Sequence, residues 1–165
     1  MTDNLELRRA KLGDVAAITS FVRKATQSRL QVDKAEVTEW LYGKGLWVVL
    51  EDGKLVGVAA WQAENLVSVT DLFLVSPEQA LEQAGSRLLE TIEAEANTLM
   101  CEINVVLLPA WASETARISL RQQGYESKAL PDLHRIWREV LSDFATEERE
   151  LMVKKLRDRM VMVPV

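Results

Sequence analysis

The chain is poor in the residues that most often carry chemistry: its 165 positions hold one cysteine and one histidine. A lone thiol, Cys101, cannot close an internal disulfide, which fits a small buried hydrophobe in a reducing compartment. It follows a helical stretch rather than opening one, so nothing there lowers its pKa toward that of a nucleophile. No Cys/His spacing suits a zinc site, and His134, without a partner pattern, reads as a strand-surface residue. Excess positive charge is also missing. Lys and Arg total 20 against 25 Asp and Glu, a net charge of −5, and without clustered cations a nucleic-acid partner is not expected. No basic-then-apolar leader opens the chain and no apolar run approaches ~18 residues. The expectation is a cytoplasmic protein with no membrane partner, and there is neither an internal repeat nor a low-complexity segment.

What is present is a globular balance of 48% apolar and 27% charged residues, at a length that lets one core bury roughly 70% of the unfolded surface. Residues 5–9 alternate as a half-buried strand does. Asp14 reads as the N-cap of a helix to about Lys24, with Val15, Ile18, Phe21 and Val22 inward. A second helix is predicted over 33–42. Residues 46–51 and 55–62 are strands joined by the Asp52-Gly53 turn signal. After a turn at Asn65 comes a strand over 66–75, with Val67, Val69, Asp71, Phe73 and Val75 on one face. A helix over 85–99 follows. Residues 103–108 are a continuous apolar run, as in a strand buried on both faces. Ser113 caps a helix that Gly124 closes. Residues 134–141 alternate as a last strand. A terminal helix then runs from Ser142 or Asp143 to about Met160, its acidic start and basic end matching the helix dipole.

Several pieces of this chain resemble the GNAT superfamily of N-acetyltransferases. They are Leu7-Arg8-Arg9-Ala10 with Asp14-Val15-Ala16-Ala17-Ile18, the hairpin from Trp47 to Ala59, Leu72-Phe73-Leu74-Val75-Ser76-Pro77, and Arg121-Gln122-Gln123-Gly124-Tyr125. They cover about residues 5–141, and their order is more specific than any one of them. The resemblance implies an α/β (α+β) fold, a mixed and mostly antiparallel sheet flanked by helices, with an extra C-terminal helix. The GNAT-like acyl-CoA-binding domain would be residues 1–141. Residues 142–165 would be a helical extension, docked on that domain or mediating a homodimer.

In the family, a loop after the fourth strand holds the pyrophosphate of acetyl-CoA or another acyl-CoA against the start of a helix. Carried onto this sequence, the cofactor-binding residues are Leu74, Val75, Gln79, Gln83, Ala84, Gly85, Ser86 and Ser113. The loop keeps the family's length, with ten positions from Val75 to Gly85. It departs in content: Ala80 stands at the Arg/Gln position and Gln83 at the first Gly. Ser113 has a second explanation as a helix cap. A base helps release a neutral amine, and Asp71 is the only acid on the strand where the family often has a Glu. The family's frequent tyrosine acid falls on Leu120, and Tyr125 reads as a packing aromatic. Trp61 and Trp111, among five tryptophans, are candidates for lining an acceptor cleft. The implied function is acyl-CoA-dependent acetylation of a small-molecule or protein amine. The alternative is a binding or scaffold module of the same shape that has lost its chemistry, signalled by Ala80, Gln83 and Leu120 together.

Overall fold

The computed structural model describes residues 4–144 and 146–157. Among them, seven strands form one sheet: β1 (Leu5–Arg9), β2 (Gly45–Glu51), β3 (Lys54–Glu64), β4 (Val67–Val75), β5 (Ile103–Pro109), β6 (Glu126–Lys128) and β7 (Arg149–Lys155). Five α-helices accompany them: α1 (Val15–Ala25), α2 (Lys34–Gly43), α3 (Ser86–Thr98), α4 (Glu114–Gln122) and α5 (Arg135–Leu141). The strand order is β1-β2-β3-β4-β5-β7-β6. β4 and β5 pair in parallel, whereas β1–β2, β2–β3, β5–β7 and β6–β7 are antiparallel. No helix among the described residues is long and apolar enough to cross a membrane.

The chain divides into two compact units. The first runs to Trp61 and takes in Phe73–Leu89. Its hairpin turns where the sequence predicts, with Asp52 and Gly53 at φ 52° and 82°, the mirror-image turn geometry that matches strand twist. α2 opens on a reciprocal cap: the Glu36 N–H donates to Asp33 Oδ1 at 2.9 Å, and the Asp33 N–H to Glu36 Oε1 at 3.4 Å. Asp14 takes the N-cap position of α1, but its side chain makes no capping hydrogen bond there. It ends a short 3₁₀ turn, Leu12–Asp14, where its carboxylate accepts from the Lys11 N–H (2.7 Å) and from both terminal nitrogens of Arg8 (2.7 and 3.0 Å). The indole of Trp61 lies on Gly45, where a Cβ would come within 2.2 Å of Nε1, so only glycine permits that stacking.

The second unit takes in Gln62–Leu72 and the described chain from Glu90 onward. Its core gathers Val67 and Val69 of β4, Ile103, Val105 and Leu107 of β5, Leu133, Trp137, Val140 and Leu141, and Leu151 and Val153 of β7. Each such side chain contributes about 1.5–3 kcal/mol on full burial. Two predicted elements change type here. Residues 135–141 are a helix, not a strand, because the buried positions 133, 137, 140 and 141 recur at helical spacing. His134 is its N-cap, Nδ1 accepting from the Ile136 N–H at 3.2 Å.

Residues 149–155 are a strand, not turns of a terminal helix. β7 pairs along its whole length with β5 and on its other side with β6. Leu151, Met152 and Val153 are consecutive and all buried, which a strand covered on both faces accommodates and a half-exposed helix does not. The extra C-terminal helix, and the helix-mediated dimer that rested on it, fall for this stretch; the predicted positions 158–160 lie outside the described residues.

Candidate functional site

The segment after β4 begins with a cis Ser76–Pro77 bond and a Ser76 N–H that donates to the Val56 carbonyl at 2.9 Å. It continues as a 3₁₀ turn, Glu78–Ala80, and a π turn, Leu81–Gly85, before α3 starts at Ser86. A π turn is rare and concentrates at functional sites. Several backbone donors of this segment are taken within it, that of Ser86 in the implied cofactor site among them. The N–H groups of Ala80, Leu81 and Ser86 go to the carbonyls of Pro77, Glu78 and Gln83, and the Ser86 hydroxyl to that of Glu82. Ala84 and Gly85 are buried. A Cβ at Gly85 would sit 3.4 Å from Phe73 and 3.5 Å from Leu81, ordinary van der Waals contact, so the space at this position would admit an alanine. Leu74 and Val75 are half-buried, and Gln79 and Gln83 are exposed.

In the second unit, the parallel ladder of β4 with β5 runs from Val67↔Ile103 to Thr70↔Val106 and ends there. Asp71 is the next residue. Its Oδ1 is sealed from solvent, and its carbonyl accepts from Nη1 of Arg149 at 3.1 Å. Ser113 caps α4, Oγ accepting from the Ala116 N–H at 3.1 Å, and Leu120 is in the core at 0% exposure. Trp61 is buried and Trp111 partly exposed. Burial pushes the Cys101 thiol up against the opposing pull of the Arg157 charge.

Sequence reasoning missed a buried polar chain in this unit. The Ser68 and Thr70 hydroxyls donate to Asn104 Oδ1 at 2.8 and 3.1 Å. Asn104 Nδ2 donates to the Tyr125 hydroxyl (2.8 Å), which donates to Glu93 Oε2 (2.7 Å). Lys154 closes the chain on Glu93 Oε1 at 2.9 Å. Burial first, and the Glu93 charge second, push the Tyr125 phenol well above its ordinary value, so it stays a donor. The available signal was one amide inside the apolar run 103–108. Glu102, fully buried, is likewise held, accepting from Trp137 Nε1 at 3.0 Å.

Beside β7 lies an open cleft of about 620 Å³. Arg117 braces its wall, with Nε to Glu150 Oε1 (2.6 Å), Nη1 to the Ala112 carbonyl (2.6 Å) and Nη2 to that of Ala110 (3.2 Å). Burial alone would raise the Glu150 carboxyl, but hydrogen bonds from Arg117 and Ser127 and the charges of Arg117 and Arg121 outweigh it and hold it below its ordinary value.

No protein-family model matches the sequence, and no curated protein matches it. Solved structures do match. A GNAT superfamily phosphinothricin acetyltransferase from Sinorhizobium meliloti, in complex with acetyl-CoA, is similar at TM-score 0.71 and 17% identity over 99% of this chain and 94% of that one. The ribosomal-protein-S18-alanine N-acetyltransferase of Escherichia coli is similar at 0.68 and 13%, over 98% and 99%. The N-acetylglutamate synthase of Neisseria gonorrhoeae, complexed with coenzyme A and N-acetyl-glutamate, is similar at 0.70 and 19% over 95% of this chain, which spans 36% of that longer protein. The order of strands and helices, the parallel pairing of β4 with β5 and these likenesses agree: this chain has the fold of the GNAT acetyltransferases.

Proposed function

We propose that this chain binds an acyl-CoA, acetyl-CoA first among them, and transfers the acyl group to an amine. The observation that carries the reading is the end of the β4–β5 ladder at Thr70↔Val106, in a fold that structures holding coenzyme A or acetyl-CoA share. Within the second unit the ladder is not continued at Asp71 or Leu72, and a strand released from its parallel neighbour is what a pantetheine arm needs. The exposed amides of Gln79 and Gln83 supply donors for the pyrophosphate in place of N–H groups the turn uses internally, and Ala84, Gly85 and Ser86 form the turn beneath it. Ser113, whose hydroxyl accepts from Ala116, keeps its own proton to donate to the cofactor. The amine nitrogen forms the new C–N bond, the C–S bond breaks, and Asp71 takes the proton the amine gives up, which ends on the departing thiolate. Backbone N–H groups at the end of β4 polarise the thioester carbonyl.

A second reading has its own support: Leu120 is buried where the family carries an acid, and three N–H groups of the loop are already bonded within it. A module of this build binds without chemistry. Thermal unfolding with and without acetyl-CoA separates the two. Ligand at 100 times its Kd adds about 2.7 kcal/mol, which for a chain of this size raises Tm by about 5–10 °C. Stabilisation together with thiol release in the presence of amines supports the transferase. No shift at saturating acetyl-CoA sinks it and leaves the second reading.

A further inference from the structure

We propose that the cleft beside β7 receives a small amine that also carries a carboxylate, an amino acid or close relative, with Arg149 as the partner of that carboxylate. Treating this ligand as the acyl acceptor rests on the transferase reading above. The cleft volume of about 620 Å³ lies within the roughly 300–1,000 Å³ of small-molecule sites. Its two arginines differ in what they have left to give. Arg117 is committed on all three nitrogens, to a carboxylate and two carbonyls. Arg149 gives one N–H to the Asp71 carbonyl, and among the described residues it forms no ion pair. A guanidinium has further donors in a planar fork that matches a carboxylate.

The bond to Asp71 fixes the rest of that fork at the cleft wall and anchors it one residue past the end of the β4–β5 ladder. Lys128 adds a second cation. Its pairing with Glu126 at 3.2 Å is between exposed groups and competes weakly. The opposite sign is present too: Glu150, held ionised, and exposed Glu148 give an ammonium its counter-charge. Leu130 and Leu151 complete an apolar side for the body of the ligand. A ligand with one charge of each sign a few bonds apart satisfies this lining, where a plain amine leaves the Arg149 fork unmet.

The test is calorimetric titration of the full chain, without coenzyme A, using three matched pairs: L-leucine and isoamylamine, L-phenylalanine and phenethylamine, L-glutamine and 4-aminobutanamide. At least one amino acid is expected to bind, and to bind roughly tenfold or more tightly than its amine. Arg149→Gln should erase that preference while leaving the amine's affinity as it was. Arg149→Lys, which keeps the charge and loses the fork, should retain part of it and serves if Arg149→Gln does not fold. No binding by any amino acid, or a preference that survives Arg149→Gln, overturns the proposal. So does binding of coenzyme A alone that Arg149→Gln abolishes while no amino acid binds, since the anion met there would be the cofactor's phosphate. An amino-acid preference with no stabilisation by acetyl-CoA leaves the cleft standing and removes the transferase.

Discussion

The turn from Ser76 to Ser86 and the polar chain around Asn104 handle polar groups in opposite ways. The turn bonds three of its backbone donors, the N–H groups of Ala80, Leu81 and Ser86, within itself and leaves its long polar side chains, Gln79 and Gln83, in solvent. The Asn104 chain buries its hydroxyls, amide and phenol, ends on the partly buried Glu93 and Lys154, and pairs each member with the next. Substitution in the first therefore changes what the surface offers a ligand at little cost to folding. Substitution at the buried end of the second, at Ser68, Thr70, Asn104 or Tyr125, leaves polar groups without partners away from solvent, which is where stability is lost.

The comparison breaks first at Asn104. Asn104→Leu orphans the Ser68 and Thr70 hydroxyls at once and takes from the Tyr125 oxygen the N–H it accepts, though Tyr125 still donates to Glu93; at about 1–3 kcal/mol per buried unpaired group urea unfolding should show a loss of several kcal/mol. Ala80→Arg tests the other side. A charge-assisted contact to phosphate contributes about 1.5–3 kcal/mol, so acetyl-CoA should bind roughly tenfold or more tightly by calorimetry while the Tm of the ligand-free chain stays put. Tyr125→Phe should cost about 1–2 kcal/mol, less than Asn104→Leu because Lys154 still holds Glu93. Because the folded phenol ionises above its unfolded value of 10.0, its share of stability is intact below that pH and is lost as pH rises toward the folded value. The variant's stability should decline less steeply in that alkaline range.

The smallest effect belongs to Asp14→Asn. The hydrogen bond from Arg8 comes first, with the Lys11 N–H and nearby charges assisting against burial, in holding the Asp14 carboxyl below its ordinary 3.8. Its contribution is present above 3.8 and lost as pH falls through the lower folded value. For a pair this near the surface the difference should stay under about 1 kcal/mol at neutral pH and vanish in acid unfolding.

Local chemistry made the first unit legible. Asp52-Gly53 and the apolar face of α1 each follow from neighbours within a few residues. The second unit was harder because its segments carry two periodicities. Residues 134–141 alternate, but Val140 and Leu141 are adjacent and both buried, which alternation forbids and a helix allows. The acid-first, base-last order of 147–157 imitates a helix matched to its dipole; the apolar run Leu151-Met152-Val153 was the better guide. Of the implied site, the loop length and the strand before it could be read, and so could the departures at Ala80 and Leu120. Asn104 could not, because its partners come from Ser68 and Thr70 on β4 and from Tyr125 beyond α4. Arg149 hid within a segment read as helical, and its reach to Asp71 spans 78 positions.

β7 has a consequence for the order in which the chain can fold during synthesis. Of the described strands it leaves the ribosome last, yet its place is between β5 and β6. Until Arg149–Lys155 emerges, β5 presents an open edge and β6, three residues long, has no strand beside it. The nascent second unit must hold that slot open, exposed to pairing with other chains, and then admit the late strand into its middle.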